Sequence, residues 1–184
     1  METTKKSQSE QQADAQLSSI REMVAALECD YDRLEELQEE RDELESAAQD
    51  PESAEETAAA DKAMVDWDDL NGEELADLVK AGTLDGEIID ADKARQRIEE
   101  DALSVEVRSD WHTPGAEVED GDGEYCILLC TGGPAVRIIG NLSGNEPTSA
   151  SLEHQDWGTA WTERYLTHDE EADVLTYARC FFCG

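Results

Sequence analysis

Residues 125–142 read YCILLCTGGPAVRIIGNL. Tyr125 to Cys130 is a short apolar run, Thr131-Gly132-Gly133-Pro134 punctuates it, and Ala135 to Leu142 runs back with Val136, Ile138 and Ile139. Two such runs joined by a Gly-Pro turn predict an antiparallel hairpin. Working outward, Ser104 to Arg108 alternates Val105 and Val107 with Glu106 and Arg108, so the periodicity changes near Leu103 from helical to alternating. Downstream, Ser143 to Pro147 turns the chain and Ser149 to His154 supplies a fourth strand. Short turns between consecutive strands predict a meander with one buried face. Thr167 followed by Glu170 is a capping box. The helix that it starts carries Ala172, Leu175, Ala178 and Phe182 on one side, widened by Val174, Tyr177 and Phe181. Residues 102–184 are therefore expected to form a four-stranded antiparallel sheet closed by one helix, and the fold class is α+β.

Upstream the pattern is helical. Residues 1–15 hold almost nothing able to bury itself and read as a disordered arm. Over 16–46, Leu17, Ile20, Val24, Leu27, Tyr31 and Leu34 follow heptad spacing, and Leu37 and Leu44 continue the stripe with a shift of one position. This predicts one long amphipathic helix whose narrow seam needs a partner, either a later helix or a second copy of the chain. Residues 47–66, rich in Ala and Glu and broken by Pro51, read as a linker. Residues 67–101 read as short helices: one after Asn71-Gly72 that stops at Gly82, a turn at Asp85-Gly86, and one capped by Asp90 through Ala94 and Ile98, with Ile88 and Ile89 as its anchor.

Charge narrows the function classes. The chain holds 47 Asp and Glu against 14 Lys and Arg, a formal net charge of -33. The first 101 residues account for 32 of the acids and 10 of the bases, so both halves are acidic. Such a chain repels nucleic acid and anionic lipid and steers toward basic partners. Direct nucleic-acid binding is not expected. No apolar run is long enough for a signal or a membrane span, which predicts a soluble, cytoplasmic protein. Five cysteines, an odd number, argue against a disulfide framework.

Cys126-x3-Cys130 and Cys180-x2-Cys183 superficially resemble a metal site. On a strand, however, Cys126 and Cys130 share a face at about 13 Å, given ~3.3 Å per residue, too far apart for one zinc. Buried structural thiols are expected, and no metal. His112, His154 and His168 sit in no nucleophile motif and read as surface or loop residues. Gly132-Gly133-Pro134 lacks the lysine and helix of a phosphate loop, so no cofactor and no catalytic residue is expected. Trp157 and Trp161, with Tyr165 beyond and Trp111 earlier, are read first as plugs at the open end of the sheet and second as interface anchors.

The acids are ordered. Glu28, Asp32, Glu35, Glu39 and Asp42 form one helical row, and Glu36, Glu40 and Glu43 form another beside it. Steps of about 5–6 Å along such rows approximate phosphate spacing on a nucleic-acid strand. The plainer reading is a solvated helix face.

The segments LSVEVRSDWHTPG, YCILLCTGGPAVRIIGNL, LEHQDWGTAWTERY and VLTYARCFFCG, with the leading IREMVAALECDYDRLEELQEERDELE, resemble a family of small acidic proteins of tailed phages and prophages. The resemblance spans roughly half of the chain. It implies no activity, site or cofactor, and it implies an accessory role in a host cell. Cys180 and Cys183 stand where the family pattern leads one to expect tyrosine, glycine or acidic residues. The expectation is thus an acidic accessory protein that binds a basic protein surface, a DNA-mimicking inhibitor of a restriction, CRISPR or other nucleic-acid-handling system. The alternatives are an assembly protein dimerising through its N-terminal helix, or an enzyme with a pocket near Trp111, His112 and Trp157.

Overall fold

The computed structural model describes residues 6–49, 53–109 and 122–182. Along the chain run α1 (Gln8–Glu28), α2 (Tyr31–Gln49), α3 (Ala54–Gly82), β1 (Thr83–Leu84), β2 (Glu87–Ile88) and α4 (Ala91–Asp101). Then follow β3 (Ser104–Ser109), β4 (Gly123–Cys130), β5 (Ala135–Ser143), β6 (Glu146–Pro147), β7 (Ser151–Gln155), β8 (Thr162–Arg164) and α5 (His168–Arg179). The fold is α+β, and the chain divides into two compact units: residues 25–91, and residues 1–24 together with 92–184.

The expected single helix over 16–46 is two helices. Asp30 is the reason: its carboxylate accepts the backbone N–H of Arg33 at 3.0 Å and its carbonyl accepts that of Leu34 at 3.0 Å. A residue that caps the next helix from non-helical backbone ends the previous one. The expected disordered arm is corrected as well, because α1 begins at Gln8. Ser7 accepts from the Glu10 amide at 3.1 Å and Glu10 accepts from the Ser7 amide at 2.6 Å, a capping box legible as S-x-x-E. The part of the arm before Lys6 lies outside the described residues.

Residues 25–91 form an antiparallel pair of helices, α2 against α3. Leu34, Leu37, Trp67 and Leu75 make its core, with Tyr31, Leu44, Leu78 and Val79 packed around them. Two polar ties fix the pairing. Arg33 reaches both carboxylate oxygens of Glu74, at 3.1 and 3.0 Å, and Trp67 Nε1 donates to Glu40 at 3.0 Å. The expected linker and short helix are in fact one 29-residue helix. Ser53 caps it by accepting from the Glu56 amide, and Gly72 lies inside it rather than at its start. Ala-rich sequence supplies the helix propensity that spacing of large apolar residues does not reveal. Asp85 and Gly86, at φ 53° and 84°, make the two-residue turn between β1 and β2. Ile88, expected as an anchor, is 47% exposed.

The other unit holds a six-stranded antiparallel sheet in the order β3-β4-β5-β7-β8, with β6 paired to β5. The meander is as expected from β3 to β7; β8 adds a strand to it and β6 pairs with the end of β5, and neither is expected from the sequence, since runs of two or three residues carry no periodicity of their own. Ile127, Ile138 and Leu152 stand opposite one another on adjacent strands and are each fully buried. Burial of each stabilises the fold by about 1.5–3 kcal/mol. Gly140 faces Tyr125, and a Cβ on it would stand 1.9 Å from the Ser149 carbonyl oxygen, so no larger residue fits at this point of β5. Tyr125 donates to that same carbonyl at 2.8 Å, and its ring meets Phe182 edge-on at 5.5 Å.

Helix α5 is capped by Thr167 and Glu170 as expected. Its buried side is Val174, Tyr177 and Ala178, whereas Ala172 is exposed and Leu175 half-buried, so the inward face is rotated from the expected one. The sheet is not closed by α5 alone. Helix α1 joins this unit through Asp14, which pairs with Arg164 of β8 at 2.9 Å, and Arg21, which pairs with Asp173 of α5 at 2.8 Å. Of the stripe expected to need either a later helix or a second copy as its partner, Leu17, Ile20 and Val24 are buried within the single chain, as is Leu34 on α2; Leu27 and Tyr31 are half-buried. The break at Asp30 divides the stripe between α1 and α2.

Candidate interaction surfaces

The acidic candidate lies within residues 25–91, which carry 24 Asp and Glu against 4 Lys and Arg. Asp32, Glu35, Glu36, Glu39, Glu40, Asp42 and Glu43 are all exposed on α2, and Glu28 is exposed at the end of α1. The first row is therefore split between two helices, while its part from Asp32 to Asp42 stays on one. Two of the carboxylates have partners: Glu36 pairs with Arg33 at 2.7 Å, and Glu40 holds Trp67. Helix α3 adds exposed Asp61, Asp66, Asp68, Asp69, Glu73, Glu74 and Asp77, which reading this region as linker and short helices had missed. The capping pattern Ser53 to Glu56 was the signal that could have found them. Glu74 is held below the usual carboxylate range by the Arg33 guanidinium.

The aromatic candidates separate. Trp157 stands on a turn and is 87% exposed, which overturns its reading as a plug. That turn is fixed by Thr159, whose amide and hydroxyl both donate to the Asp156 carbonyl, and by Gln155, which donates to the Thr159 carbonyl at 2.6 Å. Trp161 is half-buried beneath Arg137, whose guanidinium lies 4.1 Å from the ring centre while also pairing with Glu153 at 2.7 Å. Trp111 and His112 lie outside the described residues.

His154 is not a surface histidine. It sits 7% exposed on β7, and its Nδ1 shares a hydrogen bond of 2.9 Å with the hydroxyl of Ser9, itself 1% exposed. Enclosure on both sides makes this pair a fastening for α1 rather than a nucleophile and base open to substrate. The cysteines are also rearranged. A bulge between Leu128 and Cys130 sets Cys130 opposite Val136 on the helix-covered face, whereas Cys126 stands opposite Ile139 on the other. The expected common face is thus wrong, because one extra residue reverses strand parity. Burial pushes both thiols up, and thiols so shifted are poor nucleophiles and ligands.

The open face of the sheet forms a shallow groove of about 500 Å³, lined by Glu106, Arg108, Glu124, Cys126, Arg137 and Asn141 among others. Its arginines are already matched, Arg108 to Glu124 and Arg137 to Glu153. Among the described residues no group of three or more His, Cys, Asp or Glu is arranged to hold a metal ion, and no helix is long and apolar enough to cross a membrane. These features define an α+β protein with a densely acidic helical hairpin and an exposed, braced tryptophan. The chain matches no family model, no curated protein and no solved structure.

Proposed function

We propose that this chain is a non-catalytic accessory protein whose acidic hairpin, α2 and α3, occupies a basic protein surface in the manner of nucleic acid. The observation that carries the reading is that the carboxylates stand on a hairpin with its own core and two polar cross-ties, so their spacing is held rather than averaged. Ordered negative charge lowers the cost of matching an equally ordered basic groove. A phage accessory factor that blocks a restriction, CRISPR or other nucleic-acid-handling system of its host is the role that this chemistry supports. Trp157 supplies an apolar anchor of the kind that dominates interface energetics.

The test is capture of partners by the immobilised chain from nuclease-treated bacterial lysate. Captured proteins should be nucleic-acid-binding, should be displaced by duplex DNA, and should elute as salt screens the charge. A variant with Glu35→Gln, Glu39→Gln, Asp42→Asn and Glu43→Gln should capture at least about tenfold less, if the four charges together contribute about 1.4 kcal/mol. Capture insensitive to salt, to DNA and to this neutralisation would refute the reading.

A further inference from the structure

We propose that β3 is the interface of a two-fold symmetric dimer, in which the sheet of one chain continues into the sheet of a second copy. Among the described residues β3 pairs only with β4, and no described strand lies along its other edge. An exposed edge is normally blunted by lysine, proline or a bulge, because it otherwise recruits another strand. Here the edge reads Ser104-Val-Glu-Val-Arg-Ser109, with no lysine or proline and with two charges of opposite sign, Glu106 and Arg108, which can match each other across a two-fold axis. Val105 and Val107 stand opposite Ile127 and Tyr125, on the face that elsewhere forms the core, yet they are 39% and 63% exposed. Leu103, just before the strand, is 59% exposed. The apolar row therefore runs out to the edge without being covered.

Charge chooses the occupant and the register. Two copies of β3 can pair antiparallel with matching faces in registers centred on Val107, on Glu106 or on Val105, and the last sets Glu106 opposite Ser104 with no ion pair. Centred on Glu106, the two copies of that carboxylate face each other, which is repulsive. Centred on Val107, the two Val107 side chains meet, and Glu106 of each copy stands opposite Arg108 of the other. Glu106 makes no ion pair among the described residues, and Arg108 already leans on Glu124, so the dimer adds a carboxylate to each arginine and a cation to each glutamate. The surface is self-complementary, as a two-fold interface requires. Its salt dependence is opposite to that of the acidic hairpin: the net charge of -33 on each copy resists association, so added salt strengthens the dimer.

Sedimentation of the full chain over a range of concentrations tests this. The expected result is a mass approaching twice that of one chain as concentration rises, at lower concentration in high salt than in low. Val107→Lys should hold the chain at single mass with unchanged circular dichroism, since the side chain is exposed. Val107→Cys supplies an independent reading, because directly opposed residues bring Cβ atoms to about 4.5–5.5 Å. Under mild oxidation it should cross-link about tenfold faster than Val105→Cys or the unaltered chain, whose own thiols serve as the baseline. Single mass at every concentration overturns the proposal. So does cross-linking through Glu106→Cys in preference to Val107→Cys.

Discussion

Ser9, in the first turn of α1, and His154, on β7, are 145 positions apart in sequence and share a buried hydrogen bond of 2.9 Å. Beside it, the Ser9 amide donates to Asp156 at 3.1 Å, so the helix start is fixed to the end of β7 and to the turn that displays Trp157. Ser9→Ala leaves the His154 nitrogen buried without its partner, at a cost of about 1–3 kcal/mol. The exposed Ser18→Ala should change stability by less than about 0.5 kcal/mol. Urea titration of the two variants checks the contrast.

Arg164 lies between Asp14 and Glu170. Asp14 is held below its ordinary value of 3.8 by Lys6 first and Arg164 second, against the opposing effect of burial. Glu170 is held below 4.5 by the Thr167 amide first and then by Arg164. Carboxylates lowered in the folded state stabilise it above their unfolded values, and that contribution is lost as pH falls through the folded ones. Arg164→Ala should therefore cost about 1–2 kcal/mol at neutral pH, with the gap from the unaltered chain closing as pH drops below 3.8. Comparing the two chains cancels the general relief of acidic self-repulsion. A gap that stays constant down to pH 2 would contradict the assignment.

The acidic hairpin depends on a small core. Leu37 is fully buried there, and Leu37→Ala should destabilise residues 25–91 by about 2–4 kcal/mol. Hydrogen exchange should show the loss concentrated in α2 and α3.

Gly72 is a helix-interior glycine with room to spare, since a Cβ would find only Asp68 atoms, at 3.9 Å. Gly72→Ala should stabilise α3 by about 0.5–1 kcal/mol, read as later melting of the hairpin. A loss of stability would mean that the glycine serves close packing.

Trp157→Ala should leave the unfolding free energy within about 0.5 kcal/mol of that of the unaltered chain, because the ring is 87% exposed. If partner capture falls while stability holds, the tryptophan belongs to an interface.

Sequence alone determined whatever is encoded over a few residues. The hairpin from Tyr125 to Leu142, the alternation of β3, the turn at Asp85-Gly86, the α5 capping box and the acidity of the helices were all legible, because turn chemistry, period and charge act locally. The box at Ser7 and the caps at Ser53 and Asp30 are just as local and equally readable, and they set where α1, α3 and α2 begin. Tertiary structure decided what meets what. The stripe of Leu17, Ile20 and Val24 asked for an apolar partner but could not name it, since hydrophobic burial carries no direction. Only the folded chain assigned those residues to intramolecular burial, drew His154 inward to Ser9, turned Cys130 away from Cys126 through one extra residue, and left Val105 and Val107 uncovered at an edge. Each of these depends on contacts between segments distant in sequence, and no local pattern specifies such a contact.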